Sequence, residues 1–213
     1  MREPLPTRPK GANRKSLLIK LDLAPGDLPA AGEWSADDDM LNLLAQIVFA
    51  LRPEVVVSCG SGLPLLVIAR ALDLIGSGHV TAIDHDEGAV EDVERRLAGL
   101  SLDRRASVHH ACLGEYDPHT AWYEREVLTE LPGEIDFLFV DGPPIFAGRT
   151  PRAPAGPELF PRLTRDGVVL LDDGKRAKEK KTLRIWAETF PHLEQTKLKT
   201  ERNAVMLRRG GNT

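Results

Sequence analysis

A chain of 213 residues with 42% hydrophobic and 28% charged residues is long enough for one α/β domain with a full core, and this balance excludes a collagen-like or disordered polymer. The formal net charge is −4 and Lys and Arg are dispersed, which argues against a nucleic-acid binder. No apolar run approaches membrane-spanning length, and the polar, Pro-rich and basic start MREPLPTRPKGANRKS lacks the apolar core of a secretory signal, so a cytoplasmic protein is expected.

In chain order, residues 1–15 carry too few apolar side chains to offset the entropy of ordering and are expected to form a flexible arm, with a single domain over 16–213. Ser35-Ala-Asp-Asp-Asp offers a helix N-cap with acids in the first turn, and Met40, Leu43, Leu44, Ile47, Val48 and Leu51 recur at helical spacing up to Pro53. From Glu54 onward short β-branched runs alternate with amphipathic stretches, the pattern of βαβ units. The runs are 55–57, 80–83, 106–109, 135–140 and 168–171, which predict five parallel strands. Helices are expected over 64–72, along the face Val90, Val93, Leu97 and Leu100, and along Leu183, Trp186 and Phe190. Two last strands near 193–198 and 204–207 predict a closing antiparallel hairpin. The fold class is therefore a Rossmann-like, doubly wound, mostly parallel seven-stranded sheet ending in that hairpin. Cys59 and Cys112 form no C-x-x-C pair, adjoin predicted strands and read as buried thiols in a reducing compartment.

The unusual polar residues follow the carboxyl ends of strands, where open α/β sheets bind ligands. After the first strand comes Ser58-Cys59-Gly60-Ser61-Gly62-Leu63-Pro64, whose glycines allow a tight turn and a close ligand approach at a helix N-terminus. The alternative is a turn that needs glycine for geometry alone. Leu65 stands where a dinucleotide fingerprint requires its third glycine, and there is no phosphate-binding G-x-x-x-x-G-K-[ST] loop, which disfavours NAD and ATP. Asp84 ends the second strand, where an acid accepts hydrogen bonds from ribose hydroxyls, while Asp86 is better placed to cap the next helix.

The segments VVVSCGSGLPLLVIARAL, GHVTAIDHD, HHACL, IDFLFVDGPP and DGVVLLDDGKR stand in an order that resembles the class I S-adenosylmethionine-dependent methyltransferases over 34–208. The resemblance implies that Gly60, Ser61 and Gly62 hold the methionine end of the cofactor, Asp84 its ribose, and His85, Ala111, Cys112 and Leu113 its adenine, with Asp141 bordering the same crevice. That family usually carries an acid where this chain has Ser58, which is expected to bind the cofactor's amino group by a hydrogen bond, directly or through water, but leaves it without a countercharge. Ser58→Glu is accordingly expected to tighten binding.

Asp141, Asp172 and Asp173 follow the fourth and fifth strands, resemble the acids of metal-dependent O-methyltransferases and suit Mg²⁺. Without a metal, clustered acids raise one another's pKa and leave Asp141 or Asp172 as a general base. A merely structural alternative has Asp172 and Asp173 capping the following helix. The basic run 175–181 is either a solvated helix start or a clamp for an acidic substrate, and Trp34, Trp122 and Tyr123 either line a substrate pocket or pack. The expected activity is methyl transfer from S-adenosylmethionine to a small-molecule acceptor, at oxygen, by a protein that can pair as a homodimer. The competing readings are a Rossmann-type NAD(P) oxidoreductase and a cofactor-binding scaffold without turnover.

Overall fold

Alternation of apolar side chains in the central strands places each strand between two layers of helices. The computed structural model describes residues 5–11, 13–29 and 36–210. Strands β1 (Val55–Cys59), β2 (His79–Asp84) and β3 (Ala106–His110) are followed by a hairpin of β4 (Leu113–Asp117) and β5 (Thr120–Tyr123), then β6 (Ile135–Val140), β7 (Leu163–Leu171), β8 (Leu193–Lys197) and β9 (Val205–Arg209). The helices are α1 (Arg14–Lys20), α2 (Asp38–Leu51), α3 (Leu63–Ile75), α4 (Glu87–Gly99), α5 (Arg125–Glu130), α6 (Ala155–Leu159) and α7 (Ala177–Thr189).

Seven strands form one sheet in the order β3-β2-β1-β6-β7-β9-β8. The first five are parallel, and β9 joins β7 antiparallel, pairing Val169 with Leu207. The seven-stranded, mostly parallel sheet and its closing hairpin are thus as the hydrophobic pattern implied. The β4–β5 hairpin is an addition: β4 is polar and mostly exposed, and β5, though it buries Trp122 and Tyr123, spans only four residues, too few for a periodic run to show.

Val56, Phe137, Phe139, Val168 and Leu170 face the core shared with α1 to α4, whereas Val57, Leu138, Val140, Val169 and Leu171 face α6 and α7. Burial on both faces explains why these strands read as continuous apolar runs. Trp186 anchors the second layer, fully buried, donating from Nε1 to the Ala153 carbonyl at 2.8 Å and lying 4.9 Å from the Phe160 ring.

Helix α2 ends before Pro53, as expected, with Arg52 in the left-handed conformation at φ 48°. Its N-cap is Asp37, which makes no side-chain capping bond, and Ser35, expected there, lies outside the described residues, as does Trp34. Asp86 does cap α4, accepting from Ala89 N–H at 3.1 Å. The segment expected as an arm lies against the domain where it is described. Lys199 N–H donates to the Thr7 carbonyl, Lys10 N–H to Gln46 Oε1, and Asn13 caps α1, whose Leu17 is buried. Cys59 is buried, with its thiol pushed up to about 12 by burial, but Cys112 is exposed because it sits in the link between β3 and β4, outside the core.

Candidate active site

Strand order reverses around β1, so the crevice at the carboxyl ends of β1, β2 and β6 is the switch point where a ligand fits. The glycine turn closes this edge: Gly60 N–H donates to the Ile83 carbonyl at 2.9 Å, and the N–H groups of Asp141 and Gly142 donate to the Cys59 carbonyl at 3.0 and 2.7 Å. Gly60 has φ 101°, and a β-carbon there would stand 3.2 Å from Gly142 N, so glycine is required on both counts. Gly62 has φ 82°, and a β-carbon on it would meet nothing within 4 Å, which leaves open space at the start of α3. That helix has no side-chain cap, so its first N–H groups are available to an anionic ligand group.

Asp84 reaches the crevice from the end of β2. Its Oδ2 accepts from Ser61 N–H at 2.8 Å and from the Ser61 hydroxyl at 2.7 Å. Its Oδ1 accepts from Asp86 N–H and lies 3.1 Å from His85 Nδ1. A carboxylate offers about four lone-pair sites. A ribose must therefore take the place of the Ser61 hydroxyl or the His85 ring on this acid. Ala111 follows β3 with its N–H on the Asp84 carbonyl at 2.8 Å, Cys112 is exposed beside it, and Leu113 opens β4. The His85 ring meets Phe146 at 5.9 Å, which brings the loop over 142–157 above this end of the crevice.

Ser58 is fully buried and its hydroxyl donates to the Gly60 carbonyl at 2.7 Å. It supports the turn from within, so Ser58→Glu has no room to reach a ligand amine, and the expectation that it tightens binding is withdrawn.

Asp141, Asp172 and Asp173 converge as expected, with carboxylate oxygens within 4.8 Å of one another. They are not helix caps, since α7 starts at Ala177 with Arg176 as its N-cap. What reading along the chain missed is Arg152, only 3% exposed, at the centre of the cluster. Its Nη2 lies 3.1 Å from Asp141 Oδ1 and 3.5 Å from Asp173 Oδ2, and its Nη1 lies 3.7 Å from Glu179 Oε1. The same guanidinium donates to the backbone carbonyls of Asp141 and Asp172, joining the ends of β6 and β7. Arg176 and Arg202 approach Asp173 at 2.8 and 3.6 Å. The need for a countercharge near three acids, with two arginines in the loop that follows β6, was the signal available in the sequence.

Burial works against the Arg152 charge, but Asp141, Glu179, Asp173 and Asp172 outweigh it and hold its pKa above the ordinary value. Burial, reinforced by the Asp141 and Asp173 charges, pushes Asp172 up to about 8. Burial also raises Asp141, against the pull of Arg152, and raises Glu179 in the same way. Around the cluster Arg152 faces Asp141, Asp173 and Glu179, Arg176 faces Asp173, and Arg202 faces Asp173 and, at 2.7 Å, Asp37. Two of the acids expected as metal ligands, Asp141 and Asp173, thus already face a guanidinium group.

Tyr123 is buried with its hydroxyl unpartnered among the described residues, against Gly142. Burial first, then the charges of Cys59 and Asp84, raise its pKa well above the ordinary value. Trp122 beside it lines a cavity of 530 Å³ with Tyr116, Glu124 and Glu158. The basic run divides: Lys178 Nζ donates to the Ile145 and Gly148 carbonyls at 2.7 and 2.5 Å and Arg176 pairs with Asp173, while Lys180 and Lys181 are exposed near the start of α7.

Sheet order, glycine turn and strand-end acid define an α/β protein with one ligand crevice at its switch point. The chain belongs to the methyltransferase-domain family, whose model matches residues 57–174. No curated protein sequence matches it. Among solved structures, the S-adenosylhomocysteine-bound methyltransferase PaMTH1 of Podospora anserina has a TM-score of 0.66 at 12% identity, over 94% of this chain and 90% of that one. A methyltransferase of Geobacter sulfurreducens has a TM-score of 0.65 at 17% identity, over 94% and 98%. An O-methyltransferase of Bacillus cereus in complex with S-adenosylhomocysteine has a TM-score of 0.63 at 16% identity, over 92% and 90%.

Proposed function

We propose that this protein transfers the methyl group of S-adenosylmethionine to an oxygen of a small-molecule acceptor. The observation that carries the reading is the meeting, at one switch point, of the glycine turn, the strand-end acid Asp84 and the Asp141 cluster, in a chain of the methyltransferase family. The residues present fit the cofactor. The uncapped start of α3 and the open space at Gly62 suit its carboxylate end, Asp84 suits its ribose, and His85, Ala111 and Leu113 border the place for adenine.

When bound, the cofactor supplies a methyl already made electrophilic by the sulfonium, so the chain needs only to orient the acceptor and remove its proton. The carboxylate of Asp141 would take the acceptor's O–H proton as the methyl of the bound cofactor passes to the acceptor oxygen and the electron pair of the broken S–C bond stays on sulfur. Burial raises the basicity of Asp141, while Arg152 opposes that rise and fixes the carboxylate in place. Asp172 holds its proton at neutral pH and prevents a further negative charge beside the base.

The proposal includes one domain over 16–213, a small acceptor without nucleic acid, a cytoplasmic location and a homodimer. Among the described residues no helix is long and apolar enough to cross a membrane. Calorimetry with S-adenosylhomocysteine, followed by methyl-labelled S-adenosylmethionine and a panel of phenolic and other hydroxyl acceptors, tests the activity, and sedimentation equilibrium tests the dimer. Label transfer to an oxygen supports the reading, and label transfer only to nitrogen or carbon overturns the oxygen assignment. The scaffold reading draws on Ser58, which leaves the usual acid missing. Cofactor binding with no labelled product from any acceptor class is its signature.

A further inference from the structure

The acids Asp141, Asp172 and Asp173 have the spacing of a divalent-cation site, yet a buried guanidinium already stands among them, paired with Asp141 and Asp173. Asp173 Oδ2 faces Arg152 at 3.5 Å and Arg176 at 2.8 Å, and its Oδ1 faces Arg202 at 3.6 Å. Asp172 Oδ1 accepts from Asp173 N–H at 2.7 Å, and Asp141 Oδ1 accepts from Arg152 at 3.1 Å. Mg²⁺ demands a near-octahedral set of oxygens. Here it would have to lie against a buried guanidinium of like sign or expel it, and expulsion would also remove the bonds that Arg152 makes to the backbone of β6 and β7. A planar guanidinium suits the task because its fork reaches several acceptors at once, which a point charge does not.

We infer that Arg152, and not a divalent metal, is the cation of this reaction centre, so that it positions Asp141 and makes the chemistry there metal-independent. The role given to Asp141 rests on the methyl-transfer reading, but the exclusion of metal does not.

The test uses the full chain after chelation and gel filtration. Mn²⁺ is titrated while the spectrum of the free aquo ion is followed, and S-adenosylhomocysteine binding is measured with and without chelator. The expected result is a free Mn²⁺ signal that tracks the added metal identically in wild type and Asp141→Asn, with an isotherm that the chelator does not change. One tightly held Mn²⁺ per chain, lost in Asp141→Asn, overturns the inference.

Arg152→Met removes the charge and opens the acids to metal, so its Tm should rise with Mn²⁺ where that of wild type does not, by mass action. A folded variant without that rise overturns the exchange of one cation for the other. If the variant does not fold, the wild-type titration alone decides. Arg152→Lys keeps a charge without the fork and is expected to shift the pH profile of kcat while sparing S-adenosylhomocysteine affinity, and an unshifted profile overturns the positioning role. Failure of S-adenosylhomocysteine to bind at all defeats the methyl-transfer reading while leaving the Mn²⁺ result intact.

Discussion

Replacing Asp172 by Asn tests the electrostatics of the centre most directly. The carboxyl group is 1% exposed, its Oδ2 has no partner among the described residues, and burial with two neighbouring acids pushes its pKa up to about 8. A carboxyl group in the unfolded chain titrates near 4. Between about pH 4 and pH 8 the folded protein therefore holds a proton that the unfolded chain has released. Stability falls as pH rises through that window, and the protonated group contributes fully only below it. The slope is at most about 1.4 kcal/mol per pH unit for one proton.

Asn has the shape of the neutral acid and keeps the Oδ1 acceptor for Asp173 N–H. Asp172→Asn should therefore match wild type near pH 4, flatten the pH dependence and become the more stable of the two as pH rises, so that the curves diverge toward pH 8. Urea denaturation at pH 6, 7 and 8 measures both slopes. Identical slopes, or a loss above about 3 kcal/mol at pH 6, the scale of a broken buried ion pair, would refute a protonated Asp172. Turnover should persist in this variant, because Asp141 is the proposed base.

Asp84→Ala should weaken S-adenosylhomocysteine binding by roughly 1.5–3 kcal/mol, the scale of lost charge-assisted hydrogen bonds, and unchanged calorimetry would remove the ribose assignment. Ser61→Ala frees one oxygen of that acid, so affinity should rise by up to about 1 kcal/mol, and a fall would mean that the Ser61 hydroxyl itself holds the ligand. Ser58→Glu places an unpaired charge in a fully buried position and should destabilise by roughly 3 kcal/mol or more in thermal unfolding, and a gain in cofactor affinity would contradict the burial argument. Lys178→Ala removes the donor to the Ile145 and Gly148 carbonyls, so limited proteolysis should cut near residue 146 much faster with little change in Tm. Equal cleavage rates would show that the loop is held by other contacts.

Local pattern carried most of the architecture. Val55 to Val57, the run 168–171 and, but for Asp136, the run 135–140 are apolar because their strands are buried on both faces, and such runs alternating with amphipathic helices admit few arrangements besides a doubly wound sheet. The glycine turn and Asp84 were legible for the same reason, since a strand–turn–helix unit places those residues at the sheet's carboxyl edge whatever packs around them. The β4–β5 hairpin was not legible, because β4 buries little and β5, though buried, is too short for an apolar period to show.

Tertiary structure alone decided the chemistry of the acids. Asp141, Asp172 and Asp173 read along the chain as a metal set, because ligand type and strand-end position are local properties. Whether their charge is met by a metal, a proton or an arginine depends on which side chain the loop over 142–157 returns to the cluster, and that loop has no period to read. Its folding brings Arg152 to within 3.1 Å of Asp141. Ser58 likewise reads as a ligand group in sequence, and only the closing of the turn, which commits its hydroxyl to the Gly60 carbonyl, makes it a structural one. Short-range pattern sets which faces are buried, whereas electrostatic partners separated along the chain meet only when the whole fold has closed.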